Sequence, residues 1–333
     1  MITSGSSAGI SRTGFRFRPD VLLFVITPLM FAGNMLVARC IAGDVPPATL
    51  AFLRWGIAAL VLLPFARGIR SHLGRIFSPD FALLVLTGGV LAVAPLYAAA
   101  SRTTAGNIAL LISAAPAFVM IVERVLFRVE LRWPALLGIV MAASGVVTVV
   151  THGHPAALLA LSFNAGDALA FAAMLSWVAY TLLSKRRPVK LPPVIGLTAL
   201  AIGGALMLLP AATVELLHHV REPNFGLVLT WRSLAAILFL CLVPSIGAYG
   251  SYQHLVRTFG AARAATSMYI VPIYAVLLAA LLLGEALHPY HAAGLMLILG
   301  GVALAACAGR RFVAAGMTGE VAAASARPAV SAL

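Results

Sequence analysis

The sequence predicts an all-α integral membrane fold, with ten transmembrane helices arranged as two inverted five-helix repeats. Three observations predict it: an apolar composition, ten apolar runs of membrane-spanning length, and residues that recur at one fixed offset. Of the 333 residues, 62% are hydrophobic and 10% charged, and the mean hydropathy is +1.02. An average soluble domain is about 45–50% apolar and about 25% charged. So few charged side chains cannot coat a soluble fold of this size, and disorder would need low hydrophobicity.

A helix that crosses about 30 Å of hydrocarbon takes about 20 mostly apolar residues. In chain order the runs of that kind are 21–41, 49–66, 81–100, 105–123 and 133–150, then 168–183, 194–212, 234–254, 261–283 and 291–307. A backbone in lipid must satisfy its own hydrogen bonds, so these runs are helices. Strands of a barrel would alternate apolar and polar residues over about ten positions, and these runs do not. Residues 1–20 form a cytoplasmic N-terminal tail, 21–150 the first repeat, 151–167 a linker and 168–310 the second repeat. Residues 311–333, rich in Ala, form a disordered cytoplasmic C-terminal tail. The first apolar run is too long for a signal peptide and no small-x-small cleavage site follows it.

The formal charge is +13, from 23 Lys and Arg against 10 Asp and Glu. The basic residues lie in short clusters between apolar runs, which is the pattern of a topology signal rather than of nucleic-acid binding. With both termini inside, eighteen of the 23 basic residues fall on the cytoplasmic side, in clusters such as Arg12, Arg16 and Arg18 or Lys185, Arg186 and Arg187. Arg39, Arg102, Arg221 and Arg232 fall outside, and Arg54 lies within the second run. A missed or extra span would scramble this alternation. High Ala, Gly and Arg content suits a bacterial chain, so the expected location is the inner membrane.

Pro116, Gly138 and Gly145 recur as Pro272, Gly294 and Gly301, each displaced by 156 residues. Glu130 and Glu285 lie between proline and first glycine in both copies, one position out of register. Five spans per copy is an odd number, so the second copy inserts upside down. Inverted repeats related by an axis in the membrane plane are a recurrent transporter architecture, with the substrate near the midplane.

The pattern resembles the drug/metabolite transporter superfamily, specifically its EamA-like members. The resemblance rests on Gly33-Asn34, Pro46-Pro47, Ala51-Phe52-Leu53-Arg54 and Glu130-Leu131 in the first half. In the second half it rests on Gly166-Asp167, Trp177, Tyr180, Gly260 to Ala264, Leu283-Gly284-Glu285 and Gly300-Gly301. Ala32 stands where the family has tryptophan, and Arg128-Val129 where it has Leu-Gly. The resemblance implies a secondary transporter that moves small metabolites and a structural or gating role for Arg54.

Residue chemistry points to candidate sites. Arg54 is the only basic residue well inside a span, and an intramembrane charge is a functional candidate by default. Its place near a helix start also allows it to snorkel to the interface, the reading the sequence favours. Glu130 and Glu285 sit at helix ends, where an acid caps the next span or serves as a gate. Asn34, Tyr97, Trp177, Tyr180, Tyr249 and Tyr269 supply the aromatic walls and few polar groups of a small-ligand cavity. Pro116 and Pro272 kink their spans, and the glycines let helices approach closely. No carboxylate is read as lying deep in a span, which argues against a built-in proton relay.

Cys40, Cys241 and Cys307 show no CxxC spacing, so no metal site is indicated. His152, His154, His218, His219, His288 and His291 fall on the outer side, as ordinary loop polarity does. No HExxH, GxSxG or Walker A motif is present, so no cofactor and no enzyme activity are expected. The expected partners are a small-molecule substrate and the lipid bilayer, not nucleic acid, in a monomer or homodimer. The transporter reading is an exporter of amino acids or related compounds by alternating access. The alternatives are a membrane-embedded lipid-modifying enzyme and a non-transporting channel or scaffold. With one arginine for any anion, a phosphorylated substrate is disfavoured.

Overall fold

Long apolar segments with few charges close their hydrogen bonds locally, and the backbone is helical almost throughout. The computed structural model describes residues 19–128, 133–154, 164–221, 230–259 and 267–304, and no strand occurs among them. In chain order the apolar helices are α1 (Leu23–Cys40), α2 (Pro47–Phe65), α3 (Pro79–Ala100), α4 (Ala105–Phe127) and α5 (Trp133–Val150). Then follow α6 (Ala165–Arg186), α7 (Pro193–Arg221), α8 (Trp231–Leu255), α9 (Val271–Leu283) and α10 (Pro289–Leu304). Seven of these are long and apolar enough to cross a membrane, and α5, α9 and α10 are shorter. α6 starts at Ala165, inside the expected linker, because the Asn164 side chain caps the Gly166 N–H at 2.8 Å.

Interruptions in these helices are placed regularly. α3 widens into π-type turns over Val85–Leu91, and α8 does so over Cys241–Ala248, their first residues 156 apart. The wide turns free carbonyl groups, and side chains take them up. Ser176 of α6 donates to the Thr87 carbonyl at 3.0 Å, and Ser245 to the Leu240 carbonyl at 2.9 Å. α4 breaks at Ala114 and restarts as Ala115–Phe127. A tight turn at Met268–Ile270 precedes α9 in the same way. Pro116 and Pro272 each stand second in the restarted helix, where a missing N–H is harmless. Both restarted helices end in a left-handed residue, Arg128 at φ 53° and Gly284 at φ 66°.

Core packing relies on small residues. Trp55, fully buried, fits between Gly89, whose carbonyl accepts its Nε1–H at 2.7 Å, and Gly204, whose backbone lies close to the indole. On α5 and α10, Gly145 faces Gly294, and Gly138 faces Gly301. A Cβ on Gly301 would strike the Gly138 carbonyl, so these helices touch backbone to backbone.

The two ends of the bundle differ in chemistry. At the basic end Lys185 and Arg186 meet Glu123, Arg187 meets Asp80 at 2.9 Å, and Arg75 donates to the Lys190 carbonyl at 3.1 Å. These exposed pairs add little stability but tie α3, α4 and α6 together. The opposite, histidine end carries Arg39, His152, Glu285, His288 and Glu215.

Candidate functional site

Helix α2 opens with Pro46-Pro47, and Pro47 has no N–H to cap. The first N–H groups available are those of Ala48 and Thr49, and the Glu215 carboxylate accepts both, at 3.1 and 2.8 Å. It also accepts the Thr49 hydroxyl at 3.0 Å. This cap anchors the start of a helix that carries Arg54 two turns further in.

Arg54 does not snorkel. It is 2% exposed, and its guanidinium turns into the bundle. Nε donates to Ser245 Oγ at 2.6 Å and Nη1 to the Tyr97 hydroxyl at 2.9 Å. Tyr97 in turn donates to Asn34 Oδ1 at 3.0 Å. The guanidinium carbon lies 4.8 Å from the centre of the Trp55 ring, in cation–π range. The interface reading fails because α3, α8 and its own helix supply partners in the interior, Tyr97, Ser245 and Trp55, that lipid headgroups would otherwise have to supply. Among the described residues no carboxylate lies within ion-pairing distance of Arg54. It is a buried cation held by neutral groups.

Aromatic rings surround this centre. Tyr249 packs edge-on against Trp55 at 6.0 Å and against Trp177 at 6.3 Å, and its ring lies 5.7 Å from Phe31. Trp177 lies 5.2 Å from Tyr180. A cavity of about 230 Å³ runs from Tyr249 and Tyr180 past Ser184 and Gln253 to Pro188 and Pro193 at the basic end. Space for the Tyr180 ring exists because α3 has glycine at Gly88.

The structure therefore brings Asn34, Tyr97 and Arg54 into one hydrogen-bonded chain and sets Trp177, Tyr180 and Tyr249 beside it. Tyr269 lies on the Met268–Ile270 turn with its side chain outside the described residues, as is all of Glu130. Pro116 and Pro272 mark the helix restarts in α4 and before α9. Glu285 caps a helix, but not the next one: its carboxylate accepts the Ala105 and Gly106 N–H groups of α4, at 3.0 and 3.4 Å. Arg39 Nε stands 3.7 Å from it. Sequence reasoning missed Ser245, Trp55 and Glu215. A serine in an apolar run is too common to stand out, but Glu215 is the only acid in its helix, and that signal was available. Asp167, placed at the end of the linker in the sequence reading, lies in the first turn of α6 and is a buried carboxylate, 1% exposed.

At the histidine end a recess of about 940 Å³ is lined by residues that include Arg39, Arg102, Asn107, His152 and Tyr290.

Comparison with known proteins agrees with this architecture. An uncharacterized transporter of Archaeoglobus fulgidus is 26% identical over 289 residues, covering 85% of this chain and 96% of its own. A protein of Salmonella typhimurium named a probable amino-acid metabolite efflux pump is 26% identical over 296 residues, covering 86% of this chain and 94% of its own. An inner membrane transporter of Escherichia coli, YedA, is 25% identical and covers 78% and 81%. A crystal structure with 20% sequence identity superposes with a TM-score of 0.53 over 88% of this chain and 98% of that one, which shows a shared fold. The sequence model of the EamA-like transporter family matches residues 19–151 and again 164–307. The chain is a multi-pass membrane transporter, not an enzyme, and it belongs to the EamA-like transporter family.

Proposed function

We propose that this transporter exports amino acids or related small carboxylates, by alternating access at a mid-bundle site between two inverted five-helix halves. The observation that carries the reading is Arg54: a buried guanidinium with no carboxylate beside it among the described residues. One unpaired cation suits one carboxylate, and the rings of Trp177, Tyr180 and Tyr249 suit an apolar side chain. The efflux-pump name of the Salmonella relative supports the same class.

Several features support the inverted repeat and ten spans. The wide turns of α3 and α8, the restarted helices beginning at Ala115 and Val271, and the left-handed ends at Arg128 and Gly284 all share the 156-residue displacement. The family matches fall on two segments of similar length. The halves are residues 21–150 and, from the start of α6, 165–310. The basic end faces the cytoplasm, following the distribution of Lys and Arg, and the membrane is a bacterial inner membrane. In that orientation the cavity from Tyr249 to Pro188 opens to the cytoplasm, as an exporter loading its substrate requires.

Proteoliposomes preloaded with a panel of labelled amino acids test this. The expected result is saturable counter-transport that falls more than tenfold in Arg54→Met and is partly kept in Arg54→Lys. A charge-assisted hydrogen bond contributes about 1.5–3 kcal/mol, enough for that loss. Equal transport of a carboxylate and its carboxamide by the wild type, or unchanged transport by Arg54→Met, overturns the reading.

A further inference from the structure

Two acceptor atoms in one buried cluster at the histidine end lack a donor. They are Oδ2 of Asp167 and Oδ1 of Asn107, both without a hydrogen-bond partner among the described residues. The cluster is built closely. Gly166 lets the backbone of Arg102 and Thr103 press against α6, where a Cβ would collide with it. That approach puts the Thr103 hydroxyl in a 2.5 Å hydrogen bond to Asp167 Oδ1, with Asn107 Nδ2 3.4 Å from the same oxygen.

The second oxygen, Oδ2, faces Nε2 of His152 at 3.8 Å. Asn107 Nδ2 stands 3.3 Å from that nitrogen. Where the amide donates in this contact, Nε2 accepts, and a neutral His152 in that tautomer has no hydrogen on Nε2 to give Asp167. A buried carboxylate oxygen without a donor is unfavourable, and one proton on Nε2 supplies what is missing. His152 can receive it, since its side chain is 47% exposed and lines the recess. The turn that carries it is strained: His152 has φ 51° and is followed by Gly153 at φ 80°. Strain of this kind gathers at functional positions.

We propose that Asp167, Asn107 and His152 form a proton-binding site. A proton from the recess adds to the lone pair of Nε2, and the imidazolium forms an ion pair with Asp167 Oδ2, 3.8 Å away. The Asn107 NH2 group keeps its contacts to Asp167 Oδ1 and Thr103 Oγ1. The formal charge of the cluster passes from minus one to zero, and no other bond forms or breaks. The site joins the end of α5, the start of α4 and the start of α6, so the proton clamps this end of the bundle. Other charges face it. Arg39, Arg102 and His154 share the recess, and Glu285 is held by the N–H groups of α4. Tyr290, whose ring is 5.4 Å from that of His152, stands between it and His288 and His291. None of them reaches Asp167 Oδ2, which among the described titratable residues His152 alone approaches. The site does not depend on which solute is transported.

Thermal unfolding of the purified full-length protein, followed from about pH 5 to 8 where imidazoles change charge, tests the proposal. A site that holds its proton more tightly in the folded than in the unfolded chain adds stability as pH falls. The Tm difference between wild type and His152→Gln is therefore expected to grow toward low pH. In an Asp167→Asn background the same substitution should have no pH-dependent effect. If Asp167→Asn fails to fold, the wild type and His152→Gln still decide. A Tm difference that is flat across the range, or one that persists with the same pH dependence beside Asp167→Asn, overturns the proposal.

Discussion

The ring of Tyr180 on α6 lies over Gly88 on α3 so closely that a single Cβ at Gly88 would collide with a ring carbon. The contact sits in the wide-turn segment of α3 and forms one wall of the aromatic cavity. Gly88→Ala is expected to destabilise by about 1–3 kcal/mol, the usual effect of overpacking. Because Tyr180 is the obstacle, Gly88→Ala made beside Tyr180→Ala should lose most of that penalty. Unfolding temperatures of the two pairs measure it, and an equal penalty in both backgrounds would place the strain elsewhere.

Tyr97 relays between Arg54 and Asn34, accepting from one and donating to the other. Removing its hydroxyl in Tyr97→Phe leaves two buried polar groups short of a partner. The expected destabilisation is about 1–3 kcal/mol. A double-mutant cycle with Asn34→Ala should show coupling of at least about 0.5 kcal/mol. Additive effects would show that the chain of hydrogen bonds is not an energetic unit.

Arg128 and Gly284 occupy the same backbone conformation after equivalent helices, φ 53° and 66°, yet only one of them is glycine. The left-handed region is unfavourable for a residue with a Cβ. The Arg128 side chain is exposed, so little is lost with it. Arg128→Gly is expected to stabilise by about 0.5–1 kcal/mol, after the larger unfolded-state entropy of glycine is subtracted. A lower unfolding temperature than wild type would refute this.

The positions of the described helices were legible because lipid imposes a simple rule, about 20 apolar residues per crossing. The aromatic and polar residues of the centre were legible one at a time, since Asn34, Tyr97 and Arg54 each stand out in an apolar run. Their union was not, because the three come from three helices. Arg54 was misplaced for a related reason. Near a helix start it has the reach to meet headgroups, and only the tertiary fold reveals Ser245 and Tyr97 within reach instead. Capping by Glu215 and Glu285 was hidden too. Local capping follows a spacing of three residues, whereas these acids reach helices far away in sequence.

Those long-range caps bear on how the protein is made. The N–H groups at the starts of α2 and α4 belong to residues near 48 and 105, but the carboxylates that accept them are at 215 and 285. A nascent chain stopped after residue 154 would hold both helix starts without the two carboxylates that cap them in the folded protein. The early helices are thus finished only when the late ones leave the ribosome. A fragment of the early helices alone should remain incompletely assembled until the missing segment is supplied from a second transcript.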